Sequence, residues 1–479
     1  MMNELLHQSE GKTLEFKRDL SSPKPLLKTL VAFANTAGGR LVVGVADDRQ
    51  VLGVTNALDE EERLCSLIAD AIAPRLVPNV EMVTVEDKPL LLVEVFVSGS
   101  RPHWLKADGP EHGVYVRLGS TSRQADSALI GELRRTAEGV AFDELPMPEL
   151  SLDDLDLATA KKLFQGISPL DEQALRTLKL VTAYQGRTVP TKGAVLLFGK
   201  ERNLHFSDAW VQCGRFVGTD KAHIFDHIDI HEPLPLALDS IMLFLKKHAM
   251  RGADFSQTRR QDVWSIPLTL LREAVINALV HTDYSQRGAP IRVSFFDDRI
   301  EIENPGILLP GMTVEDMRQG VSKIRNHVLA RVFKELNLIE QWGSGVRRIY
   351  SEALELGLPE PQITELGLRV RLVVPLAEKV LTEAAVKAPK PESRPESRPE
   401  SRPESTLAIK ILQRLLDGNA SKAQLAQHLG HKTVSGELKK QITHLLTLEF
   451  IEMTRPDIPN SRLQQYKLTD LGRQNISKP

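Results

Sequence analysis

Apolar side chains recur along this chain with two periods, 3.6 and 2, and the switches between them mark the predicted elements. LLKTLVAFANT (26–36) has helical spacing, Gly38-Gly39 ends it, and RLVVGV (40–45) follows as a buried strand. VEMVTVE (80–86) and LLLVEVFV (90–97), separated by Asp87-Lys88, predict a hairpin. TKGAVLLFG (191–199) predicts a core strand, and DSIMLFLKKH (239–248) a helix. REAVINALVH (272–281) is a further helix, and IRVSFFDDRIEIENPG (291–306) reads as two strands about an Asp297-Asp298 turn. IEQWGSGVRRI (339–349) then sets Gly343 and Gly345 before a helix that includes Val346, Ile349 and Tyr350.

The pattern breaks at PESRPESRPESRPES (391–405), which has no apolar side chain to bury and cannot form a core. Proline at every fourth position keeps such a run extended, so roughly 20 residues could span up to about 60 Å. Beyond it, LAIKILQRLL (407–416) predicts a helix, and Ser421 with Gln424 a capping box for SKAQLAQHLG, which Gly430 ends. A third helix, Ser435–Leu448, presents Lys439, Lys440, Gln441 and His444 on its polar side. FIEMTR (450–455) and LQQYKLT (463–469) then form a hairpin with Arg455 and Arg462 near its tip. Helix, helix, turn, helix is a DNA-reading order whose last helix suits the major groove. The chain thus divides into 1–130, a connecting α/β region 131–250, a module 251–378, the linker 379–405 and a module 406–479.

Composition changes this picture little. Charged residues are 26% and hydrophobic ones 42%, as in an ordinary globular protein of three or four domains. Lys plus Arg (61) nearly cancels Asp plus Glu (63), so only local charge can point to a partner. Residues 406–479 hold eleven Lys plus Arg against six Asp plus Glu, which makes that module basic. Two cysteines, Cys65 and Cys213, exclude a disulfide framework or a cysteine-based metal site. The start lacks a signal-like apolar run and no segment is long enough to cross a bilayer, so a cytoplasmic, membrane-free protein is expected.

Two groups of residues carry candidate chemistry. Glu273 and Asn277 lie four apart and share one helix face: a carboxylate can take a proton from water, and an amide oxygen suits Mg²⁺. Asn304-Pro305-Gly306 leaves its strand sharply, and the glycines at 343 and 345 open a helix whose free N–H groups suit phosphate. Near the N-terminus, Glu10, Glu15 and the Asp47-Asp48 turn offer carboxylates for Mg²⁺ or Mn²⁺, with Lys17 beside them. Lys12, Lys17, Arg18, Lys24, Lys28, Arg117 and Arg123 form a basic strip suited to phosphates or to guarding a sheet edge.

In this order, the helix with Glu273 and Asn277, the strand ending in Gly306, and Gly343-Ser344-Gly345 resemble the GHKL ATPases, the family of gyrase and the histidine kinases. The likeness is to its divergent branch in RecG-related regulators. It implies a GHKL-type α/β sandwich binding ATP with Mg²⁺. Glu273 would be general base, Asn277 metal ligand, Asn304 to Gly306 the adenine pocket, and Gly343, Ser344 and Gly345 the phosphate loop. The family's Asp-x-Gly-x-Gly box stands here as Asn304 to Leu308, with an amide for the carboxylate and Leu308 for the second glycine. That departure favours binding over hydrolysis.

The blocks Ser9–Lys17, AFANTAGGRLVVGVADD (32–48), VLGV (51–54) and YVRLGSTSRQAD (115–126) resemble the α+β AlbA-type domain of Schlafen proteins. The resemblance implies that Glu10, Glu15 and Asp47 are the nuclease carboxylates, with a homodimer or higher oligomer supplying the second lobe. The C-terminal module resembles a winged helix, in which Lys439, Lys440, Gln441, His444, Arg455 and Arg462 face DNA. The expected fold is therefore multidomain α/β with a C-terminal winged helix. Two functions stay open. One is a nucleotide-responsive DNA-binding transcriptional regulator, the favoured reading. The other is an ATP-regulated, metal-dependent RNA or tRNA endonuclease, a phage-defence effector. A helicase is excluded, because GKTLEFK at Gly11 lacks the rest of a phosphate loop.

Overall fold

In the computed structural model, the described residues are 2–254, 261–264, 266–339, 345–378, 380, 406–429, 438, 441, 442, 445, 446, 450–454, 465–469, 472 and 473. The chain divides into two units, Met1–Ala388 and Pro389–Pro479.

The first unit begins with a four-stranded sheet. Strand β1 (Leu14–Lys17) is followed by helix α1 (Pro23–Asn35), β2 (Gly39–Val43), α2 (Ala57–Ala71), β3 (Asn79–Val85) and β4 (Lys88–Val95). The strand order is β1-β2-β4-β3, with β1 and β2 parallel and the remaining pairs antiparallel. Alternation divides the strands between two faces. Leu41, Val43, Leu91 and Val93 pack on Leu26, Leu30, Phe33, Leu64 and Ile68, whereas Phe16, Val42 and Leu90 pack with Leu5, Val51 and Val85. The expected helix, strand and hairpin are all present. Gly38 sits at φ +75, where an added Cβ would lie 2.8 Å from the Val95 carbonyl, so only glycine permits the reversal from α1 into β2. A hairpin, β5 (Tyr115–Leu118) and β6 (Thr121–Gln124), and helix α3 (Ser127–Ala137) complete this part.

Helix α4 (Lys192–Phe198) corrects an expectation: 191–199 is not a strand. Its continuous apolar run does not distinguish a buried helix from a buried strand. Thr191 decides the matter by accepting a hydrogen bond from the Ala194 N–H at 3.2 Å, an N-cap for a helix buried on every side.

The elements β7 (Val211–Phe216), β8 (Ile224–Ile230), α5 (Leu234–Ala249), α6 (Leu268–His281), β9 (Ile291–Phe295) and β10 (Arg299–Pro305) follow. They precede α7 (His327–Glu335), α8 (Gly345–Glu355), β11 (Gln362–Leu366) and β12 (Arg369–Pro375). The strands form one six-stranded sheet in the order β8-β7-β9-β10-β12-β11, parallel only between β7 and β9. Two strands thus come from the stretch 131–250, expected to be a connector, and one apolar cluster runs from Met147 to Leu376. The boundary expected at 250/251 is therefore not a boundary between cores: Val211 and Cys213 are buried with Val293, Ile300 and Ile302.

The second unit has helices α9 (Thr406–Leu416) and α10 (Lys422–His428) and the antiparallel strands β13 (Ile451–Met453) and β14 (Tyr466–Leu468). The Ser421–Gln424 capping box forms as expected. Leu438, Ile442 and Leu445, from the expected third helix, are buried with Ile411, Leu412, Phe450 and Tyr466. Lys439, Lys440, His444, Arg455 and Arg462 lie outside the described residues, as do Gly343, Ser344 and Gly430. Gln441 is described as helical and half-buried.

Candidate functional site

Helix α6 is packed against α5, α8 and strand β10, which is why its apolar residues surround it. Three of its polar residues, Glu273, Asn277 and His281, recur every fourth position and all line one cavity of about 480 Å³. A volume of this order lies within the range of small-molecule sites. Asn304, Leu308 and Gly345 line it too, so the structure brings together residues separated by 72 positions of sequence (345 − 273).

Glu273 is 9% exposed, and its Oε2 accepts a hydrogen bond from Arg348 Nη2 at 2.6 Å. Its Oε1 accepts from Asn277 Nδ2 at 3.3 Å, which leaves the Asn277 amide oxygen available to a cation. A Cβ on Gly345 would lie 1.9 Å from Glu273 Oε1, so a larger first residue of α8 would push the carboxylate from its present position. Arg348 competes with water for Glu273, and that pairing suits a binding site better than a general base.

Asn304, 8% exposed at the end of β10, donates to the Pro305 carbonyl at 3.3 Å. Gly306 has φ +108, and a Cβ there would meet Asp283 Cβ at 3.0 Å and Arg325 Cζ at 3.2 Å. It is not among the residues lining the cavity; it turns the chain so that Ile307 and Leu308 can. Leu308, in place of a glycine, supplies an apolar wall. Asp283, whose N–H donates to the Pro305 carbonyl at 2.9 Å, fixes the end of α6 to this turn, and burial raises its pKa.

Among the described lining residues Glu273 is the one carboxylate, against Lys323, Arg325, Arg331 and Lys334. Ile276, Ile302, Met312, Ile349 and Leu372 make the rest of the wall mostly apolar. Arg325 is paired with Glu132 and Arg331 with Glu144, so Lys323 and Lys334 supply the rim's cationic character, and an apolar body with such a rim suits a flat base carrying phosphates. The Asn277 amide oxygen is a hard donor of the kind hydrated Mg²⁺ accepts, whereas the nearby Glu273 carboxylate is taken up by Arg348. Sequence reasoning missed Arg325, which is 8% exposed, pairs with Glu132, donates to the Ile307 carbonyl and has its pKa lowered to about 10 by burial. It also missed His281, although its place two turns beyond Glu273 was legible; burial lowers its pKa to about 4.

The expected N-terminal carboxylates are not grouped together in the structure. Glu15, 7% exposed, is paired with both Lys17 and Arg117. Glu10 accepts a hydrogen bond from the Phe16 N–H at 2.8 Å, and Asp47 is exposed on its turn. Among the described residues, no three His, Cys, Asp or Glu side chains are grouped to hold a metal ion. Two cations already neutralise Glu15, removing the concentrated negative charge that a divalent cation needs. Much of the basic strip is committed as well: Lys12 to Glu365 at 2.6 Å, Lys24 to Asp108 at 3.1 Å, Arg117 to Glu15, and Lys28 over the Tyr115 ring.

The fold and cavity define a class: a multidomain α/β protein in which an AlbA-like domain adjoins an ATPase-like one. Comparison with known proteins agrees. Residues 10–126 match the family described as Schlafen, AlbA_2, and residues 288–374 the one described as putative ATP-dependent DNA helicase recG C-terminal. These two segments are therefore similar to an AlbA_2 domain and to an ATPase-like domain of the recG C-terminal type. Residues 408–469 match the C-terminal domain of proteins described as filamentation induced by cAMP protein Fic-like. Among solved structures, the DIP2311 protein of Corynebacterium diphtheriae is similar at 18% identity over 98% of each chain, with a TM-score of 0.41. The N-terminal domain of a putative ATP-dependent DNA helicase RecG-related protein of Nitrosomonas europaea is 28% identical over 26% of this chain and 90% of that one, with a TM-score of 0.21. No curated protein matches the chain. Among the described residues, no helix is long and apolar enough to cross a membrane.

Proposed function

We propose that this protein is a nucleotide-responsive, DNA-binding transcriptional regulator acting in the cytoplasm as a homodimer or higher oligomer. ATP with Mg²⁺ would occupy the cavity. The observation that carries the reading is the cavity itself, in which Glu273, Asn277, Asn304 and Gly345 share a wall with a cationic rim. Asn277 would hold the hydrated metal, which draws the phosphates together and neutralises their charge. Lys323 and Lys334, which line the cavity and are exposed, would face the phosphates, while Ile302 and Leu308 enclose the base. Lys439, Lys440, Gln441, His444, Arg455 and Arg462 of the basic second unit would contact duplex DNA. The neutralised Glu15 weighs against the nuclease reading.

The test is fluorescence anisotropy of labelled duplex DNA with the full-length chain, in Mg²⁺ with and without ATP. A change in DNA affinity of at least threefold on adding ATP is expected, and it should grow as salt is lowered. Equal affinity with and without ATP would remove the nucleotide-responsive reading.

A further inference from the structure

The loop after Asn304-Pro305 belongs to the cavity wall and to the N-terminal domain at once. Gly306 (φ +108) and Gly311 (φ +78) bound a strap with glycine hinges at both ends. Leu308, Leu309 and Met312 line the cavity. Ile307 is 3% exposed in a cluster with Val114, Val116, Leu118, Leu129 and Leu133 of the N-terminal domain.

Two hydrogen-bonded lines leave the strap. In the first, the Leu308 N–H donates to Glu365 Oε1 at 2.8 Å and Lys12 Nζ donates to Glu365 Oε2 at 2.6 Å. Beside Lys12, the Gly11 carbonyl accepts from Arg117 Nε at 3.1 Å. In the second, the Gly311 N–H donates to the Thr36 carbonyl at 2.7 Å, and Thr36 Oγ1 accepts from the Arg117 N–H at 2.9 Å. Both lines end on Arg117, 1% exposed and paired with Glu15. Glu365 and Lys12 have side chains 6% and 12% exposed, so their ion pair is screened little and responds to displacement of either end.

We propose that the strap 306–312 couples the cavity to the N-terminal domain, with Glu365 and Thr36 as the positioning residues that tie cavity occupancy to the Arg117–Glu15 pair. This rests on the nucleotide reading of the cavity. A ligand seated against Leu308 and Met312 holds the strap, and the strap holds Arg117. Linkage makes the effect reciprocal: a ligand of the N-terminal domain that shifts the Arg117–Glu15 pair changes nucleotide affinity by the same factor.

The experiment is hydrogen exchange on the full-length chain with Mg²⁺ and a non-hydrolysable ATP analogue, beside calorimetric titration of the same analogue. In the unsubstituted chain the analogue slows exchange at least threefold in 306–312 and also in 11–17 and 115–118. Lys12→Met with Thr36→Val, neither of which lines the cavity, keeps analogue affinity within about threefold and the slowing at 306–312, yet loses the response at 11–17 and 115–118. Lys12→Met alone loses at least half of it, which carries the test if the double variant does not fold, and Lys12→Arg restores it. A response confined to 306–312 in the unsubstituted chain, or an unchanged distant response in the variants, overturns the coupling while leaving the nucleotide reading intact. No heat from the unsubstituted chain overturns both.

Discussion

Single residues decide how the cavity is held open, and the most consequential lie outside it. Asp143 accepts hydrogen bonds from the N–H groups of His327, Val328 and Leu329 at 3.0, 2.6 and 3.0 Å. It caps α7 from 184 residues away, because Asn326 at the cap position instead donates to the Val280 and Thr282 carbonyls. Burial pushes the Asp143 pKa up to about 7 against those three donors. Asp143→Ala leaves three N–H groups, two of them buried, without this partner and is expected to cost about 2–4 kcal/mol, measured by urea unfolding.

His281 gives a pH prediction. Its folded pKa of about 4 lies below the ordinary value, so between the two the unfolded chain binds a proton that the folded chain does not. Its contribution to stability is therefore present above about pH 6.5 and lost as pH falls toward 4. His281→Gln should show a smaller drop in Tm than the unsubstituted chain between pH 7.5 and pH 5, whereas equal drops would remove this role. Neither residue could be fully read from sequence. Asp143 works through a contact 184 positions distant, and the helical spacing of His281 gave its place but not its burial.

Elements were legible where their signals were local. The helix 23–35, the hairpin 79–95 and the strand pair 291–305 follow their apolar periods, and the Ser421–Gln424 box needs only a spacing of three. That box predicts that Ser421→Ala costs about 1 kcal/mol in the thermal melt of the second unit, while Ser421→Asp is tolerated. Helix α4 is not legible as a helix, because a seven-residue helix buried on nearly all sides has no polar face to reveal its period. The candidate constellation in α6, β10 and α8 was legible because each piece carries its own mark: a polar pair at four-residue spacing, a Pro-Gly exit and a glycine opening a helix. The carboxylates near the N-terminus were legible as residues and not as a site, since the Arg117 that neutralises Glu15 lies 102 positions away.

At the scale of the molecule, the sheet shared by 211–230 and 291–375 makes the ATPase-like part larger than its motif-bearing segment. The strap then joins that part to the AlbA-like domain. For the second unit, charge reversal at the proposed DNA-facing Lys439 and Lys440 is expected to abolish duplex DNA binding at low salt, because acidic groups there would repel the phosphates. Unchanged binding would move the DNA-contacting surface elsewhere.

The proposed function depends most directly on whether the cavity takes a nucleotide through Asn277. Calorimetric titration of ATP into the full-length chain, in Mg²⁺ and again in EDTA, beside Asn277→Ala, decides it. The prediction is saturable binding in Mg²⁺ that weakens at least tenfold in EDTA, and an Asn277→Ala variant that binds weakly in both. Affinity unaffected by Asn277→Ala, or no binding by the unsubstituted chain, would contradict the account and leave α6 as core alone.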